Sequence, residues 1–204
     1  LMFALIFGLS FLANAQDVQN NQPKGYQFTD IKRLPANSVK DQARAGTCWA
    51  WSGISFFESE MIRMGKEPID LSAMYIVRHA YSDKATKFVR LHGNMNFAVG
   101  GAFCDVMHVI QNYGIVPMDV YKGLNYGEPN HAFGEIDDVL AGYINAVIKN
   151  SNKKLSTAWK KGFDGILDAY LGEEPEKFEY NGKEYTPKTF AAEVVGLNMD
   201  DYVS

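Results

Sequence analysis

The chain has 204 residues, 47% of them apolar and 22% charged, and its 20 Lys and Arg against 24 Asp and Glu leave a net charge of −4. That length and composition suit a globular domain with a sizeable core and exclude a disordered chain. With no basic run, no Arg-rich stripe and no basic amphipathic helix, the sequence argues against a nucleic-acid-binding or membrane-surface protein.

In chain order, Leu1 to Leu12 is an apolar run interrupted only by Gly8 and Ser10, and Ala13-Asn14-Ala15 follows it. A short apolar segment ending in Ala-x-Ala predicts a secretory signal peptide cleaved after Ala15, hence an exported protein, periplasmic or extracellular. The run is shorter than the ~20 residues that span a bilayer, so no membrane attachment is expected after cleavage. The basic residues that should precede it are absent, so the sequence is expected to begin upstream of Leu1. No Cys follows the cleavage site to carry a lipid anchor.

Residues 16–37 are polar and Pro-containing and read as an extended lead-in. A helix is predicted over 48–64, capped by Thr47 and ended by Gly65, which tolerates the left-handed conformation. Its apolar stripe is Ala50, Ile54, Phe57, Met61 and Met64, with Ser52, Ser55 and Ser59 beside it. Ser72 is placed to cap a second helix through Met74 to Tyr81. A third fits Ala102 to Tyr113, just after Gly100-Gly101 and stopped by Gly114.

From residue 128 the texture changes, which divides 38–127 from 128–204. Ile136, Val139, Leu140, Tyr143, Ile144, Val147 and Ile148 form a broad helical stripe. Ser156 is read as the cap of a helix carrying Trp159, Phe163, Ile166, Leu167, Tyr170 and Leu171, ended by Gly172. Phe178 to Tyr180 and Lys183 to Tyr185 flank Asn181-Gly182, a strong hairpin signal. Thr186-Pro187 then opens another helix. No internal repeat is present, and residues 128–204 offer helical packing and an assembly surface rather than a catalytic constellation.

Cys48 and Cys104 are the two cysteines, and in an exported protein one disulfide is the plain reading. The surroundings of Cys48 point elsewhere. A thiol attacks as its thiolate, and a helix start favours the anion through unpaired N–H groups and the positive dipole end. Acyl transfer also needs donors aimed at the oxyanion of its tetrahedral intermediate. Gln42, six residues upstream across a tight turn, can bring its side-chain amide beside the Cys48 N–H. The run VKDQARAGTCWAWS over 39–52 therefore holds a nucleophile, a helix to activate it and an oxyanion donor.

This run resembles the active-site segment of papain-like cysteine peptidases. Gln42, Gly46, Cys48, Trp49, Ala50 and Trp51 stand at the family's Gln, Gly, Cys, Trp, small and aromatic positions, with Trp51 where Phe is usual. Leu71-Ser72 resembles the start of the family's next helix, and Gly100-Gly101 the paired glycines whose backbone lines the substrate cleft. Tyr113-Gly114-Ile115 and Tyr121-Lys122-Gly123 fit the helix end and turn that follow. Most secreted relatives bridge two positions that are here Ala45 and Ala98, so the resemblance leaves Cys48 a free thiol and Cys104 a buried free thiol within the third helix. Residues 136–202, including YLGEEPEKFEYNGKEYTPKTF, look like the helical insertion of the bleomycin hydrolase and aminopeptidase C group. That group is best known inside cells, which leaves secreted bacterial relatives as the nearer comparison for a chain with a signal peptide.

The resemblance implies an α+β, papain-like fold, of which this chain holds mainly the helical half, with an inserted helical subdomain and a small hairpin. It implies a cysteine-type peptidase, an aminopeptidase, acting on peptides through an acyl-enzyme at Cys48, with Gln42 in the oxyanion hole and Trp49, Gly100 and Gly101 binding substrate. It implies no metal and no organic cofactor, and a tendency to form homo-hexamers. The family's His and Asn are expected beyond Ser204, because His79, His92, His108 and His131 read as structural or surface residues, and 1–204 alone is expected to be catalytically silent. Two other readings stay open: an inactive fragment or pseudo-enzyme acting as a binding module, and a redox protein using Cys48 with Cys104. The latter lacks a Cys-x-x-Cys pair and leaves Gln42 and Trp49 unexplained.

Overall fold

A computed structural model describes residues 28–203. The chain divides into two units, 1–33 and 34–204. Of the first, the described residues 28–33 carry neither helix nor strand. The signal-peptide reading of 1–15, and the lead-in up to residue 27, lie outside the described residues.

The second unit is helical, with one small hairpin among its described residues. Its elements are α1 (Cys48–Arg63), α2 (Ala73–Arg90), α3 (Phe103–Tyr113), α4 (Gly134–Ile148), α5 (Trp159–Leu171), β1 (Phe178–Tyr180), β2 (Lys183–Tyr185) and α6 (Pro187–Phe190). After α6 comes a wide turn over 191–195, closed by Gly196 N–H donating to Ala191 O at 2.8 Å. Among the described residues no helix is long and apolar enough to cross a membrane.

Helix α2 is the hub, with α1, α3, α4 and α5 all packed on it. Every residue from Ala73 to Ser82 is buried, the polar Arg78, His79 and Ser82 among them. A polar group in such a place needs a partner, and α5 with the loop after it supplies several. Arg78 meets Asp168 at 2.6 Å and Glu174 at 3.3 Å. His79 Nε2 lies 3.0 Å from Glu174 Oε1, and Ser82 Oγ donates to Asp164 Oδ1 at 2.8 Å. This polar seam fixes α5 against the hub.

Several expected terminators are in place. Gly65, Gly114 and Gly172 follow α1, α3 and α5 with positive φ. The hairpin turns on Asn181 (φ 50°) and Gly182 (φ 77°) and pairs Phe178 with Tyr185, the two left-handed residues that a type I′ turn requires. Ser72 Oγ accepts from Tyr75 N–H at 3.0 Å, and Thr186 Oγ1 accepts from Thr189 N–H at 3.2 Å with Pro187 at the first helical position.

Other expectations are corrected. Thr47 precedes α1 but does not cap it: its φ/ψ of −109°/30° is not extended, and its buried hydroxyl accepts the Trp51 indole N–H at 3.2 Å. Ser156 makes a local turn, accepting from Ala158 N–H at 3.3 Å, and α5 begins only at Trp159. Helix α2 runs past Tyr81 to Arg90, because its polar continuation holds no breaker before Gly93. Cys104 is free but exposed, not buried. The buried face of α3 is Val106, Val109 and Ile110, which leaves Cys104 on the solvent side with His108, Gln111 and Asn112.

Candidate active site

The segment leading to α1 is held at Lys40 and at Arg44. Lys40 Nζ lies 2.8 Å from both Glu58 and Asp70. Glu58, only 1% exposed, also accepts Leu71 N–H at 2.8 Å, so one carboxylate ties the lead-in to α1 and to the approach to α2. Two residues past Gln42, Arg44 N–H donates to His131 O at 2.9 Å and Arg44 O accepts Phe133 N–H at 3.1 Å. Between these anchors the chain turns tightly. Ala45 N–H donates to Gln42 O at 3.2 Å, and Ala43 N–H to Asp41 Oδ1 at 2.7 Å. Ala43 sits at φ 50°, a left-handed conformation that costs a non-glycine residue ~1–2 kcal/mol and persists only where its surroundings impose it. Gln42 is half-buried, and its amide oxygen is buried without a hydrogen-bond partner.

Gly46 (φ 66°) then delivers the chain to buried Thr47 and exposed Cys48, the first residue of α1. The first N–H groups of a helix have no partner within it, so the thiol stands at the end of α1 where an anion is favoured.

The loop 98–101 lies alongside. Val99 Cγ2 would be 3.1 Å from a Cβ placed on Gly46, and Val99 O accepts the Trp49 indole N–H at 2.9 Å. The Trp49 ring lies directly under Gly101: a Cβ there would stand 2.5 Å from Trp49 Cε2 and 2.6 Å from Cδ2. At Gly100 a Cβ would meet nothing within 4 Å, and the residue is exposed. The structure thus brings Gly46, Trp49, Val99, Gly100 and Gly101 into one surface next to Cys48.

Lys84 holds this loop to α2. Its ammonium donates to Ala98 O at 3.2 Å and to Gly100 O, and lies 5.6 Å from the Trp49 ring centroid. Burial pulls its pKa below the ordinary lysine value. Neither Lys84 nor Glu58 was found from the sequence. Glu58 did leave a signal, a charge set among the apolar positions 54, 57 and 61 of α1, which is where a buried, paired carboxylate falls. Lys84 left none, since its acceptors come from a distant loop.

Two of the four histidines, His79 and His108, lie against carboxylates. His79 is buried against Glu174 and stacks on Tyr113 with centroids 4.2 Å apart. His108 Nε2 lies 3.2 Å from Asp83 Oδ2, and its Nδ1 is 3.1 Å from Asn112 Nδ2. His131 sets its ring edge-on to Trp51 at 5.9 Å, its Nδ1 is buried without a partner, and burial lowers its pKa. His92, at φ 50°, lies in the turn after α2. Among the described residues no hydrogen bond or ion pair joins any histidine to Cys48, and no group of three or more His, Cys, Asp or Glu is placed to hold a metal ion.

The structure thus sets an exposed cysteine at a helix start, a turn bearing Gln42 ahead of it and a glycine pair over the following tryptophan. The family model for papain family cysteine protease matches residues 23–161, and the chain belongs to that family. Among curated proteins it is similar to aminopeptidase C of Lactococcus lactis subsp. lactis (strain IL1403) and of Lactococcus lactis subsp. cremoris, each 24% identical over 84% of this chain and 46% of the relative. Among solved structures it resembles PepW from Lactobacillus rhamnosis HN001 (DR20), with a TM-score of 0.57 and 21% identity over 82% of this chain and 46% of the other. This likeness gives the papain-like α+β fold. The chain spans about half the length of the relatives it matches, 46% of each.

Proposed function

We propose that these residues form the thiol half of a cysteine-type peptidase active site, with Cys48 as nucleophile. The observation that carries this is the exposed, unbridged Cys48 at the first position of α1, next to the bare backbone of Gly100 and Gly101. An extended peptide lying over the glycine pair presents a carbonyl carbon to Cys48 Sγ. Attack forms a C–S bond and pushes the carbonyl electrons onto oxygen, where the Cys48 N–H and the Gln42 amide N–H donate to the oxyanion. Collapse breaks the C–N bond, the leaving amine takes a proton, and water then cleaves the thioester, returning the free thiol.

The proton donor to the leaving amine must be a positioned base in its protonated form. Among the described residues no histidine is bonded to Cys48, and the curated relatives are about twice as long, which supports placing the family's His and Asn after Ser204. The name of the relatives, aminopeptidase C, supports peptides with a free amino terminus as substrates. The apolar run ending in Ala13-Asn14-Ala15 supports export with cleavage after Ala15, and the group resemblance supports a homo-hexamer.

The test is hydrolysis of a fluorogenic aminoacyl amide by the full-length protein and its Cys48→Ala and Cys104→Ala variants. Turnover is expected in wild type and Cys104→Ala and absent in Cys48→Ala. Wild-type turnover by Cys48→Ala would overturn the assignment.

A further inference from the structure

Beside the glycine pair lies a second feature that the chemistry above does not use. A cavity of about 240 Å³ is lined by Tyr81 of α2, by Phe97, Ala98 and Val99 of the loop, and by Asp137, Asp138 and Ala141 of α4. Tyr81 is 2% exposed and its hydroxyl is buried with no hydrogen-bond partner. A buried unpaired hydroxyl costs ~1–3 kcal/mol, and natural structures seldom keep one without a role. Asp137 is half-buried, and among the described residues its carboxylate makes no hydrogen bond or ion pair. Burial first, and then the neighbouring Asp138, push its pKa up to about 6.

We infer that this cavity binds a primary ammonium group carried on a short apolar stem. Two carboxylates on one wall repel an anion. A purely apolar occupant would leave the Tyr81 hydroxyl and both carboxylates unpaired. An ammonium has three donors, enough for Asp137, Asp138 and the hydroxyl oxygen of Tyr81, while Phe97, Ala98, Val99 and Ala141 enclose its methylenes. Lys84 Nζ lies 5.5 Å from the Tyr81 ring centroid, and it is already committed to Ala98 O and Gly100 O.

The cavity wall at Ala98-Val99 runs directly into Gly100-Gly101. Its ligand is therefore the ammonium of a bound peptide, either the free amino terminus or a Lys side chain. That attribution to a peptide rests on the peptidase reading; the ammonium site itself does not.

The test is calorimetric titration of the full-length protein carrying Cys48→Ala, which binds without turnover. The first probe is n-butylammonium at pH 7.5, with 1-butanol as the isosteric neutral control. Butylammonium is expected to bind at least tenfold more weakly to Asp137→Asn, and measurably more weakly to Tyr81→Phe, with 1-butanol indifferent to both. Thermal melts confirm that the variants fold. Equal butylammonium affinity in wild type and Asp137→Asn overturns the site. Norleucyl-alanyl-alanine amide and its Nα-acetylated lysyl counterpart then separate the two sources, by which of them loses affinity in Asp137→Asn. If neither does while butylammonium does, the assignment to a peptide substrate is wrong. Asp137-dependent binding, with no peptide hydrolysis by the full-length protein that retains Cys48, would sink the peptidase reading alone.

Discussion

The two adjacent glycines beside Cys48 offer a controlled pair of perturbations. At Gly101 an added methyl must stand 2.5–2.6 Å from two Trp49 ring atoms, closer than carbon atoms approach, so the ring or the loop has to move. Trp49 is only 8% exposed and is pinned by its 2.9 Å hydrogen bond to Val99 O. Overpacking of this kind costs ~1–3 kcal/mol, and loosening the indole hydrogen bond adds ~0.5–1.5 kcal/mol. Gly101→Ala should therefore destabilise the full-length protein by about 2–4 kcal/mol and disturb the cleft as well. At Gly100 a methyl meets nothing within 4 Å and the backbone is not left-handed. Gly100→Ala should shift stability by no more than ~1 kcal/mol, and towards greater stability, since it restrains the unfolded chain. Yet that empty space is where the peptide backbone is proposed to lie, and displacement of a reacting group by ~1 Å can cost on the order of 10²-fold in rate. Urea unfolding followed by tryptophan fluorescence, beside kcat/KM on an aminoacyl amide, separates the two. The reasoning is refuted if Gly100→Ala keeps wild-type kcat/KM, or if Gly101→Ala unfolds at the wild-type midpoint.

Gln42→Ala should lower kcat about 10²–10³-fold, the usual loss for one oxyanion donor, with little change in KM because the bond strengthens only as charge develops; an unchanged kcat removes Gln42 from the mechanism. Glu58→Gln should cost about 2–4 kcal/mol in urea unfolding, since it weakens the acceptor of a buried N–H and strips Lys40 of its buried counter-charge while leaving Asp70. A loss under ~0.5 kcal/mol would show that the lead-in is held by other means. Asp137 holds its proton more tightly folded than unfolded, so its contribution to stability is complete below about pH 3.8 and is lost as pH rises through about 6. Asp137→Asn should therefore melt higher than wild type above pH 6 and lose that advantage on acidification towards pH 4, whereas parallel melting profiles would mean that Asp137 titrates normally.

Much of this arrangement is local, and local features were legible. Gln42 through Trp51 is one contiguous run whose spacing states its own chemistry, and Gly65, Asn181-Gly182 and Thr186-Pro187 mark their turns because left-handed φ and a missing N–H admit few residues. The misjudged positions have competing partners. Thr47 looks like a cap until the Trp51 indole takes its hydroxyl, a choice made by tertiary packing. Cys104 looks buried because free cysteines often are, but the facing of α3 is set by Val106, Val109 and Ile110, and a phase error of one residue reverses the assignment. Lys84 against Ala98 and Gly100, and Tyr81 against Asp137, join segments 14 to 56 residues apart in the sequence, which neither periodicity nor spacing reveals.

The most direct test of the nucleophile is to trap the covalent intermediate. Full-length protein is mixed with an activated aminoacyl ester, quenched in acid within the first turnover, digested and mapped by mass spectrometry. The expected result is one acyl group per chain, attached to the peptide containing Cys48 and absent from that containing Cys104, with a yield that falls as the thioester hydrolyses. An ester turned over with no adduct on Cys48, or with the acyl group on another side chain, would contradict the assignment of Cys48 as the nucleophile.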